Sequence, residues 1–342
     1  MIKRRKIAIL GGSFDPIHAG HLQIARSALH MGMDEVWLMV TKDTPLKERT
    51  LTPAIHRIEM IERTIAPYRH IHCCDMELRR EGKSYTIDTV RELQQRYPDD
   101  TFYWLIGSDQ AMQLDAWKDV EELTRRVQMI VFTRKGPQVK SPYPLVFQPM
   151  ELVDVSSSEI RNGEKWHYLH PSLRRYIAQN GLYLDSFIRH HLSAKRYEHC
   201  VRVASLSVEL AQAHGYDEKK AWQIGMLHDL CKEIGKERLF QWMRLFFPEH
   251  CDEPPAIWHG YVGSILAKRW YGVEDPVILH AIYHHVKGES EDPYAMIIFC
   301  GDKLERGRGY DTSEQIALCK QDLHRGFLRV KQEQQAYLKK EK

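Results

Sequence analysis

Residues 7–21 read Ile7-Ala8-Ile9-Leu10-Gly11-Gly12-Ser13-Phe14-Asp15-Pro16-Ile17-His18-Ala19-Gly20-His21. Four apolar residues closed by two glycines predict a buried strand ending in a tight turn. His21 to His30, with Leu22, Ala25 and Leu29 on one helical face, predicts the helix that follows. Strand, glycine turn and helix open a βα unit, and α/β sheets bind ligands at the carboxyl ends of their strands. Around Gly11, Gly12, Ser13 and Phe14 the backbone amides can approach a phosphate, and the helix start adds partial positive charge. His18 and His21 stand three apart at that helix start, so both rings can face one anion.

Working outward, Val36 to Val40, Phe102 to Ile106 and Met129 to Phe132 read as further buried strands. Thr52 and Pro53 form an N-cap and N1 pair ahead of a helix whose apolar stripe is Ile55, Ile58, Ile61 and Ile65. Another helix runs through Val120 and Leu123. Alternating strands and helices predict an α/β doubly wound, mostly parallel sheet. After Tyr183 the period turns helical: Ser193 to Ala213, Glu218 to Leu230, Lys236 to Phe246, Tyr261 to Trp270, Asp275 to His284 and Tyr294 to Arg306. The expected organisation is therefore an α/β domain over residues 1–186 and an all-α domain over 187–342, which suits a chain of 342 residues.

Composition narrows the function classes. Hydrophobic residues at 43% and charged residues at 28% exclude a disordered or fibrous chain. With 49 basic against 46 acidic residues the net charge is +3, too balanced for a nucleic-acid binder, so any anion site is local. No apolar run approaches the roughly 20 residues that span a bilayer. The basic stretch Lys3 to Lys6 precedes only Ile7 to Leu10, too short for a secretion signal, and a cytoplasmic location is expected. Seven cysteines without a CxxC indicate neither a disulfide framework nor a cysteine zinc site. Histidine is abundant at 19.

Two further groups of residues carry chemistry. Ser156-Ser157-Ser158-Glu159-Ile160-Arg161 contains a capping box, Ser156 at the N-cap and Glu159 at N3, which leaves Ser157, Ser158 and Arg161 available to triphosphate oxygens. In the helical half, the dipeptide His228-Asp229 means little alone. With His199 on an earlier helix and His259, His285 and Asp302 on later ones, it becomes a ligand set that helices can converge inward. Imidazole and carboxylate suit Fe, Mn, Zn or Co. His199, His228, Asp229 and Asp302 suffice for one ion; His259 and His285 make room for a second, with Asp229 able to bridge. Cys200, Cys231 and Cys300 lie within two residues of these ligands, and helix spacing turns them away from the metals as small core residues.

The first half resembles the HxGH nucleotidyltransferases, in the form GGSFDPxHxGH of the bacterial nicotinate mononucleotide adenylyltransferases. Ser156 to Arg161 resembles that family's ISSTxIR, Ser84 to Thr89 its SYTxDT, and Gly107-Ser108-Asp109 with Leu114 and Trp117 its GxDxxxxLxxW. Pro45 and Lys47 match its PPHK segment, where Leu46 replaces the histidine. The resemblance implies a Rossmann-like nucleotidyltransferase that passes AMP from ATP to nicotinate mononucleotide, with Mg²⁺ as cofactor. It implies that the Thr86 region and Trp117 hold the nicotinate ring, that Asp109 beside Gly107 bonds a ribose hydroxyl, and that Arg134 also binds substrate. His18, His21, Lys47 and Arg161 are then charged donors to the triphosphate and transition state. Nicotinamide mononucleotide or phosphopantetheine are alternative acceptors.

The second half resembles the HD phosphohydrolase superfamily, in the small bacterial branch that splits diadenosine tetraphosphate into two ADP. The matching strings are Lys195 to His199, Gly225 to Lys232, His259-Gly260, Ala281 to His285 and Gly301 to Glu305. The register makes His285, not His284, the ligand. Val286-Lys287 replaces two threonines of that branch, Gly301 an alanine and Arg306 a proline. HDxxED and GYP, the marks of neighbouring branches, are absent. The resemblance implies two transition-metal ions held by His199, His228, Asp229, His259, His285 and Asp302, iron first, with manganese, cobalt or zinc as alternatives. It also implies that Asp229 takes part in catalysis and that Lys232 and Arg308 contact phosphate. The alternatives are another nucleotide substrate or a non-catalytic, nucleotide-binding regulator. The expected partners are small nucleotides, with no nucleic acid and no membrane.

Overall fold

The computed structural model describes residues 4–42, 50–133, 140–151 and 153–340. Lys47 and Arg134 lie outside the described residues, as do Pro45 and Leu46. The chain divides into two compact units, Met1–Ile160 with Glu164–Leu173, and Arg161–Gly163 with Arg174–Lys342.

In the first unit β1 (Lys6–Gly12), β2 (Glu35–Val40), β3 (Ile71–Cys74), β4 (Thr101–Gly107), β5 (Gln128–Thr133) and β6 (Leu145–Pro149) form one sheet in the order β3-β2-β1-β4-β5-β6. Every neighbouring pair is parallel. The strand order reverses between β1 and β4, so the crevice beyond their carboxyl ends, at Gly12 and Gly107, is the place where such sheets bind nucleotides. Helices α1 (Ala19–His30), α2 (Ala54–Ile65), α3 (Thr86–Arg96), α4 (Ser108–Ala111) and α5 (Val120–Arg126) connect the strands. Ile7 and Ile9, Trp104 and Ile106, and Met129 and Val131 alternate toward one face, where Ile87, Val90 and Leu93 of α3 and Leu123 of α5 pack on them. Right-handed crossovers place α1 and α2 on the opposite face, which makes both faces apolar and explains why the central strands read as continuous hydrophobic runs.

Two strands escape the pattern reading. β3 is only four residues, and β6 is a half-exposed edge with Val146 and Phe147 on the surface. The stripe expected on α2 is also rotated. Ile55 is 69% exposed, whereas Arg57 is buried beside Met60, Ile61, Thr64 and Ile65. The cause is polar: Arg57 donates from Nη1 to the carbonyls of Ser13 and Thr41, each at 2.9 Å, and from Nε to that of Thr52 at 2.9 Å. A guanidinium that satisfies three backbone acceptors can be buried, and it turns the helix accordingly.

The last segment before the helical domain holds α6 (Ser157–Arg161) and α7 (Pro171–Asn180). The second unit then runs through α8 (Leu184–His191), α9 (Ala194–Ala213), α10 (Glu218–Leu227), α11 (Lys236–Phe246), α12 (Trp258–Leu266), α13 (Pro276–His284), α14 (Pro293–Leu304), α15 (Ser313–Gln321) and α16 (Leu323–Lys340). α7, α8, α15 and α16 are additions to the six expected helices. Of those six, the second stops at Leu227 and passes into turns through Ile234, and the fourth starts at Trp258 and ends in a π turn over Ala267–Tyr271. α9 and α10 approach closely because Gly225 has no side chain; a Cβ there would collide with the backbone of Ala204. Leu206, Leu210, Ile297, Phe299, Cys300 and Phe327 fill the core between α9, α14 and α16.

Candidate active sites

In the first unit β1 delivers Gly11 and Gly12 to the crevice, and His18 caps α1 in extended conformation. The side chain of Phe14, a residue with φ of 47°, folds back over Gly12, where a Cβ would sit 3.2 Å from its ring. Gly20 has a similar reason: a Cβ would lie 3.1 Å from His18 Nδ1. The two imidazoles therefore lie together, ring centroids 3.8 Å apart. The backbone amide of His18 donates to His21 Nδ1 at 3.2 Å, so the neutral His21 ring carries its proton on Nε2. His18 differs from the expected charged donor. Burial lowers its pKa to about 4 although Glu159 opposes the shift, so the ring is neutral at pH 7, with Nδ1 buried and lacking a hydrogen-bond partner.

The capping box at Ser156 is present as read. Its hydroxyl accepts from Glu159 N at 3.2 Å, and its amide donates to Glu159 Oε2 at 2.8 Å. Ser157 Oγ donates to the carbonyl of Pro16 at 2.9 Å, which fixes the start of α6 beside the turn between β1 and α1. Arg161 ends α6 and falls in the second unit. Thr86 opens α3. Lys118 Nζ reaches Asp88 Oδ2 at 3.0 Å and lies 4.7 Å from the Tyr85 ring centroid, which brings the segment of Trp117 beside the α3 start. Trp117 is partly buried against the core, and Asp109 is exposed at the end of β4, its carboxylate over Gly107.

In the second unit all six ligand candidates converge. His199 comes from α9, His228 and Asp229 from the turn after α10, His259 from α12, His285 from the end of α13 and Asp302 from α14. Asp229 divides its carboxylate between two pairs of imidazoles. Oδ2 lies 3.8 Å from His199 Nε2 and 3.7 Å from His228 Nε2, while Oδ1 lies 3.4 Å from His259 Nε2 and 3.9 Å from His285 Nε2. Asp302 Oδ1 stands 3.2 Å from His199 Nε2 and 3.9 Å from His228 Nε2. Atoms bound to one ion at about 2.1 Å each lie a little over 3 Å apart, so these spacings suit ligands of a common ion.

The outer contacts orient the rings. His228 Nδ1 is 2.7 Å from the carbonyl of Gly225, His285 Nδ1 2.6 Å from that of Ile282, and His199 Nδ1 3.2 Å from Glu305 Oε1. With Nδ1 as donor, each Nε2 offers a lone pair to the cluster. The Nε2 atoms of His199, His228 and His285 are buried without hydrogen-bond partners, which is costly unless something else binds there. Burial lowers the pKa of His228, of His259 to about 4, and of His285 most strongly. Burial acts against ionisation of Asp229, but His228 and the other imidazoles hold it well below the usual range; for Asp302, Lys303 and His199 do so. Neutral imidazole and ionised carboxylate are the forms that bind metal. The residues thus fit a metal site, with His199, His228 and Asp302 in one possible ligand group and His228, Asp229 and His285 in another.

Cys200, Cys231 and Cys300 are all fully buried, as core residues should be. The expected phosphate contacts are occupied differently. Lys232 Nζ lies 3.1 Å from both ring nitrogens of His259, and Arg308 Nη2 donates to Asp302 Oδ1 at 2.7 Å. Three residues went unread. Arg57 clamps the glycine turn after β1, Arg196 Nη1 donates to Asp229 Oδ2 at 2.8 Å, and Glu305 orients His199. Only Arg57 had a local signal, a charge within an otherwise apolar helix face.

Residues 9–163 match the family model described as cytidylyltransferase-like, and residues 196–307 match the HD domain. Over 95% of its length the chain is 27% identical to a "probable nicotinate-nucleotide adenylyltransferase/Ap4A hydrolase" of Mycoplasma genitalium, covering 96% of that protein. The nicotinate-nucleotide adenylyltransferase of Bacillus subtilis is 40% identical across 52% of this chain and 98% of its own. A solved structure from Clostridium acetobutylicum, described as a predicted HD superfamily hydrolase involved in NAD metabolism, is 26% identical with a TM-score of 0.44, covering 46% of this chain and 86% of that one. Among the described residues no helix is long and apolar enough to cross a membrane. With the glycine turn, the paired histidines and the buried His/Asp cluster in place, the chain belongs to the nicotinate-nucleotide adenylyltransferase family and carries an HD domain in its second half.

Proposed function

We propose that the chain is a two-activity enzyme. Residues 1–186 transfer AMP from ATP to nicotinate mononucleotide, and residues 187–342 hydrolyse diadenosine tetraphosphate (Ap4A) to two ADP. The observation that carries the second activity is the division of the Asp229 carboxylate between two imidazole pairs, which suits a dinuclear phosphohydrolase and has no evident structural purpose otherwise. The full-length likeness to a protein named for both activities supports joining them in one chain.

In the transferase the mononucleotide phosphate oxygen bonds to the α-phosphorus of ATP, the bond to the β-phosphate oxygen breaks, and pyrophosphate leaves. No protein nucleophile is needed, so positioning and charge stabilisation supply the rate. The amides around Gly11 to Phe14 and the α1 N-terminus bind the triphosphate. His21 donates from Nε2, and neutral His18 donates as the charge on the phosphates grows. Ser157, Ser158, Arg161, Lys47 and Arg134 complete the donor set, and Mg²⁺ neutralises part of the phosphate charge. Thr86 and Trp117 hold the pyridine ring, while Asp109 receives a ribose hydroxyl.

In the hydrolase the bound ions, iron first, with manganese, cobalt or zinc as alternatives, supply Lewis acidity toward water and the scissile phosphate. The protein's part is to keep His228, His259 and His285 neutral, to aim all four imidazoles, and to hold Asp229 and Asp302 ionised. The cytoplasm is the proposed location. The experiment is a pair of assays on one preparation: pyrophosphate release from ATP with nicotinate mononucleotide, and chromatographic separation of the products of diadenosine tetraphosphate. Two ADP and nicotinate adenine dinucleotide are the expected products; AMP plus ATP from the tetraphosphate contradicts symmetrical cleavage.

A further inference from the structure

Gln23 stands two residues past His21 on α1, half-buried and outside the donor set of the transferase. Its carboxamide makes two bonds to backbone that is distant in sequence. Nε2 donates to the carbonyl of Glu151 at 2.7 Å, and Oε1 accepts from the amide of Val153 at 2.8 Å. A donor met by a carbonyl and an acceptor met by an amide fix the orientation of the group. The side chain thus does for this backbone what a neighbouring strand would do, engaging one C=O and one N–H.

The chain that follows Val153 meets the start of α1 at two more points. A Cβ on Gly20 would lie 3.4 Å from Val155 Cγ1, and Ser157 Oγ donates to the Pro16 carbonyl at 2.9 Å. Between these points the Val155 amide donates to the Val153 carbonyl at 3.0 Å, a tight turn that carries the placement of Val153 on to Val155. The contacts therefore step from Gln23 to Gly20 and on to Pro16 as the segment steps from Val153 to Val155 to Ser157. At one end of this seam stand His18 and His21 with Ser157 and Ser158, which the transferase reading assigns to the triphosphate. Gln23 holds the other end. Lys165 supports the segment independently: its Nζ donates to the Asp154 carbonyl at 2.9 Å and pairs with Glu159 Oε1 at 2.7 Å. With Ser157 and Lys165 in place, loss of the Gln23 carboxamide loosens the register of the seam without detaching the segment.

We propose that Gln23 is a positioning residue for adenylyl transfer: it sets the register of residues 153–157 against α1 and so holds Ser157 and Ser158 at the separation from His18 and His21 that the triphosphate of ATP requires. The inference rests on the transferase reading and adds to it a residue that acts through the backbone of the second phosphate motif. The full-length chain carrying Gln23→Ala or Gln23→Glu is compared with wild type. Gln23→Glu keeps the acceptor for the Val153 amide and loses the donor to the Glu151 carbonyl, so it removes half of the clamp. Arg26→Ala, a truncation of an exposed side chain on the same helix, is the control.

Two quantities are read: amide hydrogen exchange at Val153 and Val155, and the separate KM values for ATP and nicotinate mononucleotide. Gln23→Ala should speed exchange at Val153 by about tenfold and raise the KM for ATP by about fivefold, with the KM for the mononucleotide within about twofold. Gln23→Glu should give smaller shifts of the same sign, and Arg26→Ala none. A general loss of folded protein lowers turnover and leaves both KM values in place, so a shift confined to ATP separates positioning from stability. Unaltered exchange at Val153 in Gln23→Ala, or equal changes in the two KM values, overturns the proposal. A wild type that releases no pyrophosphate overturns the transferase reading itself, and the exchange measurement still shows whether Gln23 holds the segment.

Discussion

The two units handle the same chemical object, a chain of phosphates, by different means. The first offers backbone: two glycines, a helix start and two histidine rings in contact, His18 neutral, with Arg57 buried behind the turn to hold its carbonyls. The second offers charge: two largely buried carboxylates and four imidazoles, three of which have their outer nitrogens fixed by a carbonyl or by Glu305. A backbone cradle needs glycine where side chains would collide, so it is written in a contiguous stretch. A metal cluster needs only that helices meet, so its residues are spread from 199 to 302. The difference predicts that damage to either site leaves the other untouched.

The largest effect is expected at the bridge. Asp229→Ala removes the one carboxylate shared by both imidazole pairs, and hydrolysis of the tetraphosphate should fall by at least roughly a thousandfold, with metal content lowered and adenylyl transfer unchanged. Parallel kinetics and elemental analysis check this. Loss of both activities together would mean that the sites are not independent.

The mirror experiment is His21→Ala, which deletes an Nε2 donor to the charge that develops on the triphosphate. The turnover number for nicotinate mononucleotide should drop by roughly a hundredfold with hydrolysis intact. Smaller again is Gly20→Ala, whose new methyl would press on His18 from 3.1 Å and shift the ring. About a tenfold loss of turnover, with little change in the melting temperature, is expected from such a misplacement.

The smallest is a pH effect on stability. His18 is held at about 4 in the folded protein against about 6.5 when unfolded, so between those values the unfolded chain binds the extra proton. Stability is therefore lost as pH falls from 6.5 toward 4. At pH 5 wild type should have lost about 2 kcal/mol more, relative to pH 7, than His18→Gln. Urea unfolding at the two pH values measures it; identical losses in both proteins would place the titrating group elsewhere.

Where the sequence could be read, the reason was local. The turn from β1 into α1 and the capping box at Ser156 are fixed by neighbouring residues, and both stand in the structure as expected. The six ligand candidates were readable as a set because each sits in its own short motif. The strands β3 and β6 were not readable, one for its length and the other because its edge position removes the apolar run. The face of α2 was misread because Arg57 is stabilised by carbonyls that are distant in sequence and invisible to periodicity. Glu305 and Arg196 likewise act across 106 and 33 residues, a separation for which no spacing rule exists.

Asp229 is proposed to serve two ions, and elemental analysis of the full-length chain tests this most directly. Purified under conditions that retain metal, wild type should carry close to two transition-metal ions per chain. His259→Ala, which strips one imidazole from the Oδ1 side, should carry close to one while adenylyl transfer continues unchanged. A wild-type chain that holds a single ion and is fully active on diadenosine tetraphosphate would contradict the bridged pair.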